Sequence, residues 1–201
     1  PRHSVAESCG PKVPDTTRRT MTEGAKRPKG GWVSYRPDIK VHDCTVRDGS
    51  LINDMKFDDA FVRGVYECLV AAGVDYMEMG YKASKRLFPP KDFGPWKYCD
   101  EEDVRKIVGD NNTDLKLSVM ADAERTDYKE DILPCEQSVL DMIRVATYIH
   151  QIELALDMIK DAHDKGYETT VNLMALSTVQ EQEIEEALSL LVASEVGTIY
   201  V

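Results

Sequence analysis

Several common devices are missing from this 201-residue sequence, and each absence closes off a class of protein. No C-x-x-C pair occurs. The five cysteines (Cys9, Cys44, Cys68, Cys99 and Cys135) are odd in number and irregularly spaced, so neither a zinc ribbon nor a disulfide framework is indicated. Reduced thiols in a cytoplasmic protein account for them. No run approaches the ~20 apolar residues that a membrane span needs, and the N-terminus lacks the hydrophobic core of a secretory signal. The expectation is a cytoplasmic chain with no membrane partner. No G-x-G-x-x-G loop follows the first strand, which removes the main support for a dinucleotide-binding fold.

What remains is enough for one sizeable core: 42% of the residues are hydrophobic and 30% charged, a balance short of disorder. The net charge of -11 is unevenly spread. Residues 1–36 hold eight Lys/Arg against three Asp/Glu, so the remainder carries 17 basic and 33 acidic residues, a balance of -16. A body that acidic repels nucleic-acid phosphates, and no nucleic-acid partner is expected. Residues 1–36 read as a disordered basic lead, with Pro, Gly, Thr, Lys and Arg but no apolar period. Met21 would make a natural start, leaving residues 1–20 as upstream or non-native sequence. Trp32-Val33-Ser34-Tyr35 is a candidate short strand or cap over one end of the domain.

Beyond the lead, strands alternate with helices. The stretch from Ile39 to Val46 predicts the first strand. Phe57, Phe61, Val65, Leu69 and Ala72 then recur at helical spacing, and Gly73 fits the C-terminal cap. Val74 to Gly80 follows as a second strand, so the three elements make a βαβ unit with parallel pairing and a right-handed crossover. After a Pro- and Gly-containing connection from Tyr81 to Asp100 the unit repeats. The pattern predicts a helix near Glu101–Val108, a strand from Leu115 to Met120, a brief helix near Glu136–Leu140 and a strand from Met142 to Ala146. A helix with Ile152, Leu156, Ile159 and His163 on one face stops at Gly166. A strand from Thr169 to Met174, a helix grouping Ile184, Ala187, Leu188 and Leu191, and a strand from Val196 to Val201 complete the series. Such alternation gives a parallel α/β fold, either an open doubly wound sheet or a (β/α)8 barrel. The long loops follow strands two and three, at the carboxyl ends where a barrel places its active site. Only about six of a barrel's eight strands are legible, so residues 37–201 are expected to be a (β/α)8 TIM barrel truncated after the sixth.

The segment Asp43-Cys44-Thr45-Val46-Arg47-Asp48-Gly49 sets a cation beside an anion where a strand gives way to a loop. An R-D-G tripeptide alone more often closes an ordinary strand with a solvated salt bridge than marks a site for a metal and an oxyanion. With Met77-Glu78-Met79-Gly80 following, Glu78 thirty residues beyond Asp48, the pattern resembles the metal-dependent lyases and aldolases built on a TIM barrel. That superfamily includes hydroxymethylglutaryl-CoA lyase, isopropylmalate and homocitrate synthases, the carboxyltransferase domain of pyruvate carboxylase, and 4-hydroxy-2-oxovalerate aldolase. The segment Ile143-Arg144-Val145-Ala146-Thr147, with Asn172-Leu173-Met174 and Thr198-Ile199-Tyr200, looks most like the aldolase branch. The resemblance covers residues 37–201.

At the matched positions the resemblance implies a definite chemistry. Asp48 matches the aspartate ligand of a divalent cation, Mn²⁺ or Mg²⁺, an ion suited to a hard carboxylate oxygen. Arg47 matches the arginine that stabilises the enolate oxygen of a pyruvate-like unit, where a fixed and always-charged donor is needed. Glu78 matches the glutamate that holds that arginine, and the metal is the family's Lewis acid. Asn172 and Arg144 are candidate substrate-binding residues, or polar residues filling a barrel layer. The plainer alternative for Arg47, Asp48 and Glu78 is an ion-pair cluster closing one end of the sheet. His42 is placed toward the start of its strand, away from the site. His150 and His163, at or on the helix that stops at Gly166, read as structural or solvated.

Two departures from the family pattern stand out. The family completes its metal site with a His-x-His pair on strand seven, and this sequence contains none. The position four residues after Arg47 is a histidine in the oxovalerate aldolases and a glutamine in many synthases, but Leu51 here, so a proton shuttle must come from elsewhere. The expected function is a divalent-metal-dependent aldolase or lyase that cleaves or forms a carbon–carbon bond next to a 2-oxo acid through a pyruvate-type enolate. It would take a small 2-oxo or hydroxy acid and self-associate in its full-length form. The 201 residues alone are expected to be inactive or nearly so. The alternatives are an acyl-CoA-dependent Claisen-type synthase and a non-catalytic, truncated interaction module.

Overall fold

The computed structural model describes residue 36 and residues 38–201. Apart from Arg36, the basic lead, with its Trp32–Tyr35 segment, lies outside the described residues. Six strands form one sheet in chain order: β1 (His42–Asp43), β2 (Tyr76–Tyr81), β3 (Lys116–Asp122), β4 (Met142–Thr147), β5 (Glu168–Leu173) and β6 (Thr198–Tyr200). Every neighbouring pair is parallel. An order that never reverses belongs to a barrel; a doubly wound sheet reverses at its switch point.

Side-chain contacts show that the sheet curls. Neighbouring strands lie about 4.8 Å apart, so β2 and β5 would be about 14 Å apart in a flat sheet. Yet Tyr76 Oη on β2 donates to Glu168 Oε2 on β5 at 2.9 Å. Arg144 Nη1 on β4 likewise lies 3.6 Å from Cys44 Sγ, the residue after β1. Such meetings require a concave face, and the six strands therefore form an open part of a (β/α)8 barrel.

The convex face is apolar. Met77, Met79, Leu117, Val119, Ile143, Val145 and Val171 are buried in one cluster with residues of the covering helices. Those helices are α2 (Asp59–Ala72), α3 (Glu101–Val108), α5 (Ile152–Asp164) and α6 (Glu181–Val192); α1 (Thr45–Gly49) and α4 (Tyr128–Asp131) are single turns in loops. Helix α2 starts where the Asp58 carboxylate accepts from Phe61 N at 2.7 Å and ends at Gly73, whose φ of 69° is left-handed, as its glycine predicts. None of the helices among the described residues is long and apolar enough to cross a membrane.

Three local expectations are corrected. The strand from Ile39 to Val46 shrinks to His42–Asp43 because the Asp43 carboxylate accepts from Thr45 N (3.0 Å) and Thr45 Oγ1 (2.8 Å), turning the chain into α1. The buried faces of α2 and α5 are rotated by one residue. Val62 and Tyr66 are buried while Phe61 is exposed, and Ala155, Met158, Ile159 and Ala162 are buried while His163 is not. On α5 the alanines let the helix approach the sheet closely. The helix near Glu136–Leu140 is a 3-10 turn at Cys135–Gln137, because Glu101 accepts from Ser138 Oγ and Val139 N, both at 2.8 Å, and draws the chain out straight.

The long connection after β2 folds back over the barrel mouth. A Cβ on Gly80 would meet Trp96 O at 2.1 Å and one on Gly94 would meet Met55 O at 2.0 Å, so both contacts exist because neither residue has one. Trp96, fully buried, donates from Nε1 to Phe57 O at 2.9 Å.

Candidate active site

Side chains alternate between the two faces of a strand, and the concave face of this sheet is polar. Tyr76 and Glu78 on β2, Lys116, Ser118 and Asp122 on β3, Arg144 on β4, Glu168 and Asn172 on β5 and Tyr200 on β6 fall on that face. They sort into two layers. The deeper one, near the strand starts, joins Tyr76, Lys116 and Glu168: the phenol and the ammonium both bond the Glu168 carboxylate.

The upper layer is centred on Glu78, which is completely buried. Its Oε2 accepts from Arg47 Nε at 2.6 Å and from Arg144 Nη1 at 3.3 Å, and its Oε1 lies 3.4 Å from the same Arg144 nitrogen. Arg144 Nη2 donates to Asn172 Oδ1 at 3.3 Å, and the guanidinium sits 4.3 Å from the Tyr200 ring centre. Arg144 Nε is buried without a hydrogen-bond partner among the described residues. A register shift between Glu78 and Tyr81 brings Tyr81 toward the cluster, where the charge of Arg47 opposes the rise that burial gives its phenol. Two arginines therefore face one buried carboxylate, and the surplus is positive. Asp48 also pairs with Arg47, but its side chain is 58% exposed, so it offsets little of the interior charge.

The titrating groups reflect this field. Burial lowers the pKa of Arg47, but the charge and hydrogen bond of Glu78 outweigh it, and the net shift is upward. Burial, with the charge and hydrogen bond of Glu78 adding to it, pushes the Cys44 thiol up to about 11. His42 departs from its expected place. Its Nε2 is 2.8 Å from Ser118 Oγ, and it lies within the fields of Glu78, Arg144 and Arg47. Pairing of His42 with Tyr76 in the parallel ladder turns the ring inward, and burial is the main cause of its lowered pKa. His150 and His163 are solvated, as read from the sequence.

The structure thus brings together Arg47, Glu78, Arg144 and Asn172, with Asp48 at the rim. It also adds Cys44 and Tyr200, which lie in the matched segments but carried no expected role, and Tyr81 and Asp122, to which the sequence pattern attached no site. Asp122 and Tyr200 share their strands' inward parity with Ser118 and Thr198, a signal available once the strand bounds are known.

A divalent cation fits this set poorly. Among the described residues no three His, Cys, Asp or Glu side chains come together where they could hold a metal ion. Asp48 supplies one carboxylate, already engaged by Arg47, and a single monodentate ligand does not make a site for Mn²⁺ or Mg²⁺.

Fold and site together describe an open part of a parallel α/β barrel whose concave face gathers two arginines around one buried carboxylate. No protein-family model matches the chain. Among curated proteins it is similar to the oxaloacetate decarboxylase of Mycobacterium tuberculosis, 28% identical over 67% of this chain and 38% of that protein. It is also similar to a 4-hydroxy-2-oxovalerate aldolase of Rhodococcus jostii, 24% identical over 78% of this chain and 44% of that one. The chain thus spans less than half the length of either curated relative. Among solved structures the N-terminal domain of an aldolase-like protein of Bacteroides vulgatus superposes with a TM-score of 0.58 at 21% identity, covering 80% of this chain and 62% of that one, which supports the barrel fold.

Proposed function

We propose that residues 37–201 belong to the catalytic domain of a cytoplasmic carbon–carbon lyase, an aldolase or decarboxylase acting on a small 2-oxo acid. The observation that carries this reading is the buried surplus of arginine: Arg47, fixed by a fully buried Glu78, with Arg144 behind it and only one interior anion between them. A 2-oxo acid brings a carboxylate and, on carbon–carbon cleavage, develops an enolate oxygen. Breaking the bond leaves its electron pair on the 2-oxo unit, and a preorganised guanidinium meets that charge without reorganising. Glu78 denies Arg47 other rotamers. Asn172 and the Nε of Arg144 offer hydrogen bonds to the substrate's carboxylate.

The names of the curated relatives, an oxaloacetate decarboxylase and a 4-hydroxy-2-oxovalerate aldolase, support this substrate class. Asp48 is the one position the resemblance assigns to a divalent cation, and the described residues do not complete a site for that ion. For the same reason turnover by these 201 residues alone is expected to be slight. Self-association of the full-length form, read by light scattering, belongs to the same proposal; a monomer at all concentrations removes that part.

The test is release of pyruvate from oxaloacetate and from 4-hydroxy-2-oxovalerate, with Mn²⁺, with Mg²⁺ and with neither. We expect a rate above background that needs no acyl-CoA and that Arg47→Ala abolishes while Arg47→Lys retains only in part. Equal release by wild type and Arg47→Ala would defeat the reading. Dependence on acyl-CoA would move it to a Claisen-type synthase.

A further inference from the structure

The site described above has a cation for an enolate but no group placed to move a proton. Leu51 is exposed on the 3-10 turn Ser50–Ile52 and has no proton to offer. The loop after β2 and the end of β3 supply an alternative. Lys97 is almost fully buried at the close of the 3-10 turn Pro95–Lys97, tied by its own carbonyl, which accepts from Ala83 N at 3.0 Å. Its ammonium sits in an aromatic cage, 4.2 Å from the Phe88 ring centre, 4.7 Å from Tyr81 and 5.7 Å from Phe93. No carboxylate bonds it among the described residues; the one whose charge acts on it most is Asp122. Asp122 ends β3 on the concave face, half-buried, with no side-chain hydrogen bond or ion pair among the described residues. Tyr81 forms one wall of the cage, and Asp122 stands two residues beyond Met120, which pairs with Tyr81 on one side and with Arg144 on the other in the parallel ladder.

We propose that Asp122 is the group that moves the proton at the enolate carbon, and that Lys97, in the aromatic cage walled by Tyr81, is the positioning residue that sets its charge. The inference rests on the preceding reading that Arg47 holds an enolate. In the protonation step the enolate's carbon–carbon π pair takes the proton of the Asp122 carboxyl, the oxyanion on Arg47 returns to a carbonyl, and Asp122 is left as a carboxylate. In aldol cleavage the hydroxyl of the substrate returns that proton to Asp122 as the aldehyde forms; in decarboxylation water returns it. No oxidant or reductant is involved.

The surroundings suit this duty. Burial raises the proton affinity of Asp122 above the ordinary carboxylate range, against the opposing pull of Lys97, Arg125 and Arg47, while Glu78 adds to the rise. Burial also lowers the pKa of Lys97, with Asp122 pulling it up and Arg125 pushing it down. An anion arriving at Arg47 cancels part of the positive field, so Asp122 must take up a proton when an enolate mimic binds.

Oxalate, a planar mimic of enolpyruvate, is the probe. Its binding to the 201-residue chain is measured by calorimetry near pH 6 in buffers of different ionisation enthalpy, alongside a carbon-13 titration of the aspartate carboxyls. We expect binding coupled to proton uptake in the wild type, binding without uptake in Asp122→Asn, and no binding in Arg47→Ala. Lys97→Met is expected to tighten proton binding at Asp122 about tenfold, as loss of a nearby cation should, whereas Lys97→Arg leaves it near wild type. A structural role for Lys97 would lower stability in Lys97→Met without moving that titration. If oxalate binds and Asp122→Asn keeps the uptake, the assignment of Asp122 falls while the Arg47 reading stands. If oxalate does not bind the wild type, both fall.

Discussion

Replacing Glu78 by glutamine tests the arrangement at its centre. The side chain keeps its shape, but the one fully buried carboxylate of the cluster is lost, leaving Arg47 and Arg144, with side chains 13% and 10% exposed, facing each other across a neutral amide. Removing one partner of a buried ion pair costs about 3–5 kcal/mol, because the partner's charge stays buried and uncompensated. Arg47 can swing toward Asp48 and water, which places the expected loss near the lower end, about 3 kcal/mol. With a urea slope of about 2 kcal/mol/M, the unfolding midpoint falls by about 1.5 M, a large share of a typical stability of about 5–15 kcal/mol. The assay is urea unfolding followed by far-ultraviolet circular dichroism and by the fluorescence of buried Trp96. Glu78→Gln/Arg144→Met removes a cation with the anion and should regain at least half of the loss, a coupling of the size seen for residues in one network. A Glu78→Gln protein within about 1 kcal/mol of wild type, or strict additivity of the two changes, would refute the claim that the cluster is a mutually dependent buried unit.

Other outcomes follow from single observations. At pH 8 iodoacetamide should modify exposed Cys68 well before Cys44 and Cys99, whose thiols burial pushes up to about 11 and about 12; peptide mapping reads the order, and early Cys44 labelling would contradict its site. His42 has its pKa depressed from 6.5, chiefly by burial, so its contribution to stability is complete above that pH and is lost as pH falls toward the folded-state value. Urea midpoints measured from pH 7.5 to 5 should therefore fall, and His42→Gln should flatten the fall; an unchanged slope would show that His42 is not the group responsible. Gly94→Ala should cost at least about 1–3 kcal/mol, the usual range for overpacking, because its Cβ would meet backbone, Met55 O at 2.0 Å, rather than a side chain that can yield; a thermal midpoint equal to wild type would mean the loop docks otherwise.

Much of the fold could be read from the residues because local and global signals agree. The helix Glu101–Val108 has its predicted bounds, and Gly73 stops α2 where only a left-handed residue continues the turn. Arg47 and Glu78 were legible as a pair because the segments that hold them resemble a known pattern, although Arg47 lies in α1 and Glu78 inside β2 rather than at a strand end. What stayed hidden depends on curvature. Glu78 and Arg144 are separated by 66 residues and two strand spacings, and nothing local says that their side chains meet. The same holds for Lys97, whose loop comes back over the mouth only because Gly80 and Gly94 let backbone approach backbone. The Thr45–Gly49 turn was missed for another reason: β-branched residues suggested a strand, and the Asp43 carboxylate overrode them by bonding Thr45. The rotated faces of α2 and α5 reflect periodicity that fits two adjacent registers until the sheet selects one.

The two polar layers of the concave face differ in charge balance, and that difference is the ground for assigning the proposed function to one of them. In the deeper layer the charges cancel: Lys116 and Tyr76 both engage the Glu168 carboxylate. That layer behaves as a plug. In the upper layer the account does not close, since two guanidiniums share Glu78 and the buried Nε of Arg144 bonds nothing among the described residues. A buried donor left unsatisfied costs about 1–3 kcal/mol, a cost that a fold retains where a ligand's acceptor removes it. Lys116→Met should therefore change stability and leave oxalate affinity alone, while Arg144→Met should weaken oxalate. If the two substitutions affected oxalate equally, the division into a plug and a binding layer would be wrong.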